Sequence, residues 1–300
     1  MLDSGKNIIS HPDFREIQPF ELLEPVAQTL PFVFNSPHSG NFYPSRFLDA
    51  SRLDSSTIRR SEDIFVDDLF ENMPKLGAPL LKANFPRAYL DLNREPYELD
   101  PKMFDGELPS YANIRSIRVA GGLGTIARVV AESLEIYKHR ITVEDALLRI
   151  EALYRPYHAC LRKLLAKTHV THGKAFLIDC HSMPSGQDDK VSRPDFVLGD
   201  RYGASCSNEL TEMLACLLSD RGYVVNRNKP YAGGFITEHY GRPSAELHAL
   251  QIEINRSLYA NEQELQKNSH FDQLKIDLTD VFSEVFDVFS SEGSLPLAAE

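Results

Sequence analysis

Two histidines stand where an α/β protein places its chemistry. Apolar Val33-Phe34-Asn35 runs into Ser36-Pro37-His38-Ser39-Gly40, and Phe176-Leu177-Ile178 runs into Asp179-Cys180-His181-Ser182-Met183-Pro184. Ligands of open α/β sheets bind beyond the carboxyl ends of strands, and each imidazole follows a strand-like run. Such a histidine serves as metal ligand, general base or polar loop residue. A pair of them, each in a turn shaped by Pro, Gly or Ser, favours a shared metal. A catalytic zinc takes three protein ligands of His or carboxylate type and keeps one position open. The third ligand is sought in Ser61-Glu62-Asp63, at the start of an expected helix. Acids there also suit the helix dipole, and spacing does not choose between Glu62 and Asp63.

Glu253 is placed differently. It lies between Ile252 and Ile254 in the apolar run Ala249–Ile254, sharing a strand face with Gln251 and Asn255. A carboxylate in a buried strand must be paired or near a cation. It is either the partner of an arginine or a general base beside an activated water. Arginines recur in Phe85–Pro96, which holds Arg87, Asn93 and Arg94, and in Gly233–Pro243, which holds His239, Tyr240 and Arg242. Their forks bind carboxylates, so these segments could hold an anionic substrate; surface ion pairs are the alternative. No Gly-x-Ser-x-Gly elbow is present. Cys180 abuts His181, but neighbours on a strand point to opposite faces, so it is read as a core residue. Gly121-Gly122-Leu123-Gly124 lacks the Lys-Ser/Thr of a phosphate loop and is read as a turn.

Elements of α/β type must carry these groups. Strand-length apolar runs occur at Pro31–Asn35, Pro79–Lys82, Ala88–Leu92, Ala175–Ile178, Phe196–Leu198, Tyr223–Asn226 and Ala249–Ile254. Pro194 and Pro230 are read as strand entrances. Helical spacing appears in Ser61–Glu71, with Ser61 as N-cap, in Glu209–Ser219 and in Leu274–Phe289. Thr142-Val143-Glu144-Asp145 resembles a capping box and opens a long helix through Leu147, Ile150, Leu153, Tyr157, Leu161 and Leu165. Alternating strands and helices predict an α/β sandwich around a mixed, largely parallel sheet. No composition shift marks a boundary, so one domain over residues 1–300 is expected.

Composition narrows the partners. Net charge is −11 with no Lys/Arg block, which argues against nucleic acid. No apolar run approaches the roughly 18 residues of a membrane span. Met1–Arg15 lacks the basic start and apolar centre of a secretory signal, and the four cysteines do not form a disulfide-framework pattern. A cytoplasmic location is expected.

Taken in order, Asn-Ser-Pro-His38-Ser-Gly, Glu-Asp63, Phe-Pro-Arg87 with Asp-Leu-Asn93-Arg94-Glu-Pro, Asp-Cys-His181-Ser, Gly-Gly-Phe-Ile-Thr-Glu-His239-Tyr240-Gly-Arg242-Pro and Gln-Ile-Glu253 resemble the N-formylglutamate amidohydrolase (N-formylglutamate deformylase) family. The resemblance runs from about Pro31 to Asn255. It implies a three-layer, zinc-carboxypeptidase-like (phosphorylase/hydrolase-like) fold. It also implies His38, Asp63 and His181 as zinc ligands and Glu253 as base. Glu62 stays in reserve, because the His-x-x-Glu pair of the carboxypeptidases is absent: Asn41 stands three after His38. Arg87 would stabilise the oxyanion, and Asn93, Arg94, His239, Tyr240 and Arg242 would hold the substrate. The implied reaction is hydrolysis of N-formyl-L-glutamate to L-glutamate and formate, within histidine degradation. Two other readings are a zinc amidase for another N-acyl amino acid or a peptidoglycan fragment, and a non-catalytic dicarboxylate-binding protein.

Overall fold

The computed structural model describes residues 17–130, 134–186 and 193–291; the segment Met1–Arg15, read above as no secretory signal, lies outside them. Contacts divide the chain into two compact units. Unit 1 comprises Pro37–Ile64 and Lys82–Leu161 with the chain up to Glu21; unit 2 comprises Leu22–Ser36, Phe65–Leu81 and the chain from Arg162.

The main sheet has seven strands: β1 (Phe20–Leu23), β2 (Phe32–Ser36), β3 (Leu80–Ala83), β4 (Ala175–Met183), β5 (Phe196–Gly199), β6 (Val225–Arg227) and β7 (Leu247–Asn255). Their spatial order is β1-β3-β2-β4-β7-β5-β6. β2 with β4, β4 with β7, and β5 with β6 are parallel, while β7 with β5 is antiparallel. The sheet is mixed and the class is α/β, as the alternation of runs predicts.

β4 is longer than its apolar run. The hydrophobic signal stops at Ile178, yet the strand continues to Met183 because β7 runs beside it in register from Leu247↔Ala175 to Asn255↔Met183. That ladder satisfies the backbone of Asp179–Met183, so His181 sits inside the end of a strand rather than in the turn after it. In unit 2, the helix α5 (Phe271–Ser291) covers β2 and β4 with its apolar stripe. Phe282 meets Phe34 at 4.8 Å between ring centroids, and Phe286 meets Phe32 at 4.9 Å. Burying one such side chain contributes about 1.5–3 kcal/mol, and edge or tilted ring pairs add about 0.5–1.5 kcal/mol.

The long helix begins as expected, with Thr142 Oγ1 accepting from the Asp145 N–H. It runs through α1 (Val143–Arg149), a π-helical turn at Ile150–Tyr154, and α2 (Arg155–His172). Two further helices are α3 (Asn208–Asp220) and α4 (Phe235–Tyr240).

Three expectations are corrected. Ser61–Glu71 is not one helix: a 3-10 turn spans Thr57–Ser61, Glu62 is extended, Phe65 is left-handed at φ 58°, and only Val66–Leu69 is α-helical. The Asp63 N–H donates to the His38 carbonyl, and that tie replaces the helical ladder. Ala88–Leu92 is not a strand. Tyr89 and Leu90 donate to the Pro86 carbonyl and Asp91 donates to that of Thr125, so the apolar run is buried as a turn. Pro230 follows β6 instead of opening a strand.

Candidate active site

Unit 1 supplies a histidine held between two carboxylates. Gly40 lets the turn after β2 pass close to residues 84–85: a Cβ there would lie 2.4 Å from the Phe85 carbonyl oxygen. The Phe42 N–H donates to the Asn84 carbonyl along the same seam. His38, 1% exposed, places Nε2 2.8 Å from Asp91 Oδ1 and Nδ1 3.4 Å from Asp63 Oδ2. Glu62 is committed elsewhere. It accepts from the Tyr43 hydroxyl and, at 3.0 Å, from Nε of Arg59. Burial and the Glu62 charge together push the Tyr43 hydroxyl up.

Asp91 is the hub of this group. Its Oδ2 accepts from Arg87 Nη2 at 2.7 Å, its Oδ1 from the Asn93 backbone N–H at 2.8 Å, and Arg94 Nη2 lies 3.7 Å away. Burial opposes its ionisation, yet Arg87, Arg94 and His38 hold its carboxyl well below the ordinary range. Arg94 also donates from Nε to the Leu123 carbonyl and from Nη1 to that of Asn93. Each of its nitrogens therefore serves the protein's own chain. Asn93 is buried in the same turn.

Unit 2 carries a strand-borne group of its own. Asp179 and His181 share one face of β4, and His181 Nε2 lies 2.9 Å from Asp179 Oδ2. Asn35 on β2 donates to the other oxygen of Asp179 at 2.6 Å. Glu253 on β7 is the register partner of His181, and Gln251 that of Asp179. Register partners on parallel strands project from the same face about 4.8 Å apart, so base candidate and ligand candidate stand side by side. Gln251 Nε2 donates to Glu253 Oε1 at 2.8 Å, and Glu253 is 8% exposed.

α4 packs against β7 and β4. Gly233 at φ +121° opens it, where a Cβ would lie 2.5 Å from Thr237 Oγ1. His239 meets Tyr240 edge-on, with ring centroids 4.8 Å apart. Burial, then Arg242, then Arg162 push His239 below its ordinary range. Burial drives the Tyr240 hydroxyl up; Arg162 opposes this and Asp179 reinforces it. Arg162, on α2, is a group the sequence reading missed. His169, two turns further along α2, lies 3.1 Å from the Ala245 carbonyl oxygen through Nε2, which turns that face of the helix toward residues 239–246. Cys180 is fully buried, and burial followed by Asp179 drives its thiol well up, in keeping with a core residue.

The two histidines share a device that sequence spacing did not reveal. Each sets Nε2 close to a buried carboxylate, His38 hydrogen-bonded to Asp91 at 2.8 Å and His181 in contact with Asp179 at 2.9 Å. A carboxylate behind the imidazole is the usual support of a metal-ligating histidine, fixing its tautomer and ring orientation.

On the mixed α/β sheet, a carboxylate-backed histidine and a buried glutamate thus stand side by side on β4 and β7. The model of the N-formylglutamate amidohydrolase family matches residues 30–260, and the chain belongs to that family. It is 31% identical over 245 residues to the N-formylglutamate deformylase of Pseudomonas putida, covering 78% of this chain and 84% of that protein. It is 27% identical over 241 residues to the N-formylglutamate deformylase of Pseudomonas aeruginosa PAO1, with the same coverage, 78% and 84%. The crystal structure of an N-formylglutamate amidohydrolase from Ralstonia eutropha JMP134 is similar to it with a TM-score of 0.87 and 35% identity, covering 92% of this chain and all of that one.

Proposed function

We propose that this protein is a zinc-dependent amidohydrolase that converts N-formyl-L-glutamate and water to L-glutamate and formate. Residues 1–300 would form one domain with the zinc-carboxypeptidase type of fold, its motif-bearing core at about residues 31–255. The reaction belongs to cytoplasmic histidine degradation. Among the described residues no helix is long and apolar enough to cross a membrane.

His38, Asp63 and His181 are the zinc ligands in this reading: two imidazoles and a carboxylate, all buried, of a kind that could hold a metal ion. This donor set matches the three protein ligands of catalytic zinc sites. Asp63 is preferred to Glu62 because Tyr43 and Arg59 already occupy the Glu62 carboxylate. A bound zinc ion supplies Lewis acidity and a water of lowered pKa.

The residues of the chain do the rest. Glu253 accepts the proton of the attacking water and hands it to the leaving amine. Arg87, fixed through Nη2 to Asp91, stabilises the tetrahedral oxyanion. Arg242, with His239, Tyr240, Asn93 and Arg94, binds the substrate carboxylates and holds the formyl carbon in reach. The observation that carries this reading is the in-register pairing of Glu253 with His181.

The test is metal analysis of the purified protein together with formate release from a panel of N-acyl amino acids. About one zinc per chain and a preference for N-formylglutamate are expected. Preference for a larger acyl group would move the assignment to another amidase. Dicarboxylate binding with no turnover by the metal-loaded protein would leave a binding protein.

A further inference from the structure

Apart from the residues assigned above, unit 1 contains a cavity of about 200 Å³ walled largely by cations. Three stretches of backbone build it. An antiparallel bridge joins Ser51 to Tyr137, and the Arg52 N–H donates to the Ile136 carbonyl at 2.8 Å, so Arg52 lies against residues 136–138. The parallel pairing Phe104↔Ile141 and Asp105↔Thr142 brings Lys102 and Met103 alongside His139 and Arg140. Arg128 completes the wall, while the buried Met103 and Tyr137 give it apolar ground.

The charges do not balance. Arg52, Lys102, Arg128, Lys138 and Arg140 line the cavity, against Glu135 as the one acid in its wall. Glu135 bridges two of them, with Oε2 3.2 Å from Arg52 Nη1 and Oε1 3.2 Å from Arg128 Nη1. Asp100 backs Arg128 at 2.8 Å. Lys138 Nζ donates to the Asp49 carbonyl, which leaves its charge uncompensated. Among the described residues, the Lys102 and Arg140 side chains have no hydrogen-bond or ion-pair partner. Such a cluster stands out in a chain of net charge −11, where scattered lysines and arginines would find acids easily. Like charges gathered round one concavity repel one another and focus a positive potential into it. An anion relieves that repulsion.

We propose that this cavity is a binding site for a small oxyanion carrying two or more negative charges, either a phosphate compound or a polycarboxylate. Its volume is below the roughly 300–1,000 Å³ of pockets for drug-sized ligands, so the ligand is compact. Arg52 is held by Glu135 and by the Tyr137 and Lys138 carbonyls, and Arg128 by Asp100 and Glu135, so both contribute charge to the wall; the fork of Arg140 is suited to paired oxygens, and Lys102 and Lys138 add point charges. The proposal does not depend on the hydrolase reading, since none of its residues is placed in that machinery.

Isothermal titration of the metal-loaded protein with inorganic phosphate, inorganic pyrophosphate and citrate tests it. At least one probe should bind saturably, and raised salt should weaken binding. Lys102→Ala combined with Arg140→Ala should lower the affinity roughly tenfold or more, as expected when charged hydrogen-bond donors are lost, with hydrolytic activity unchanged. Tighter binding of pyrophosphate or phosphate than citrate would assign a phosphate compound; the reverse would assign a polycarboxylate. The proposal is overturned if no probe saturates at millimolar concentration. It is equally overturned if the double variant and Arg140→Glu bind every probe like the parent protein.

Discussion

At the scale of single residues, Asp91 controls more than its own charge. It receives His38, Arg87 and the Asn93 backbone, so it fixes an imidazole and one arginine at once. Asp91→Asn keeps the shape and removes the charge. Competition with a chelator should then show metal affinity falling by about 10–100-fold, the usual effect of losing a carboxylate behind a ligating histidine; unchanged affinity would separate Asp91 from the metal. Glu253→Gln should fold, keep its metal and lose kcat by about 10²–10⁴-fold, the usual contribution of general acid–base catalysis. Full turnover by a stable variant would remove Glu253 from the chemistry. A stability loss of about 3–5 kcal/mol, as when a buried pair is broken, would instead make it structural. His181 and Glu253 were legible in the sequence because each is a polar group in an apolar strand, and His38 because it follows one closely. The choice between Glu62 and Asp63 was not legible. Adjacent residues have equal spacing, and what distinguishes them is the Glu62 carboxylate's capture by Arg59 in the preceding turn and by Tyr43 from further up the chain.

Secondary-structure elements were read well where one local signal sufficed. The Thr142 cap and the apolar period of the following helix are such signals, and so is the phenylalanine stripe of α5. They were misread where a tertiary contact overrides the pattern, as at Asp63, and where a proline turns an apolar run into a buried loop, as at Pro86. The opening of β7 supplies a pH test. His248, 7% exposed, stacks on Phe176 of β4 with ring centroids 4.6 Å apart. Burial lowers its pKa, against the pull of Glu246, with Lys174 reinforcing the shift. The unfolded chain therefore takes up this proton before the folded one does. Stability from this group is complete above the unfolded value of about 6.5 and declines as pH falls below it. Thermal unfolding should show the melting temperature dropping between roughly pH 7.5 and 5.5, with a smaller drop in His248→Gln. Identical slopes would show that other groups set the pH response.

For the whole molecule, the family was legible because short motifs, each modest alone, fall in one order across most of the chain. Acidic composition pointed away from nucleic acid but concealed the local basic cavity of unit 1, since a total charge carries no position. If zinc binds the folded protein alone, it stabilises that state by mass action, by about 2.7 kcal/mol at a free concentration 100 times Kd. Chelation should lower the melting temperature, and added zinc should restore it in step with activity. A melting curve indifferent to chelator, in protein shown to have lost its zinc, would argue against a metal held by the native fold.

The pairing of Glu253 with His181 bears on how sequences of this kind can vary. Side chains on a strand alternate with a period of two, so sliding β7 past β4 by one residue would turn Glu253 to the opposite face. The polypeptide between the two residues can lengthen or shorten at its loops without touching their relation. A single-residue insertion within either strand would instead invert it, unless a bulge absorbs the extra residue. Length variation among functional relatives should therefore collect between the strands, and parity within β4 and β7 should persist even where the surrounding amino acids have diverged.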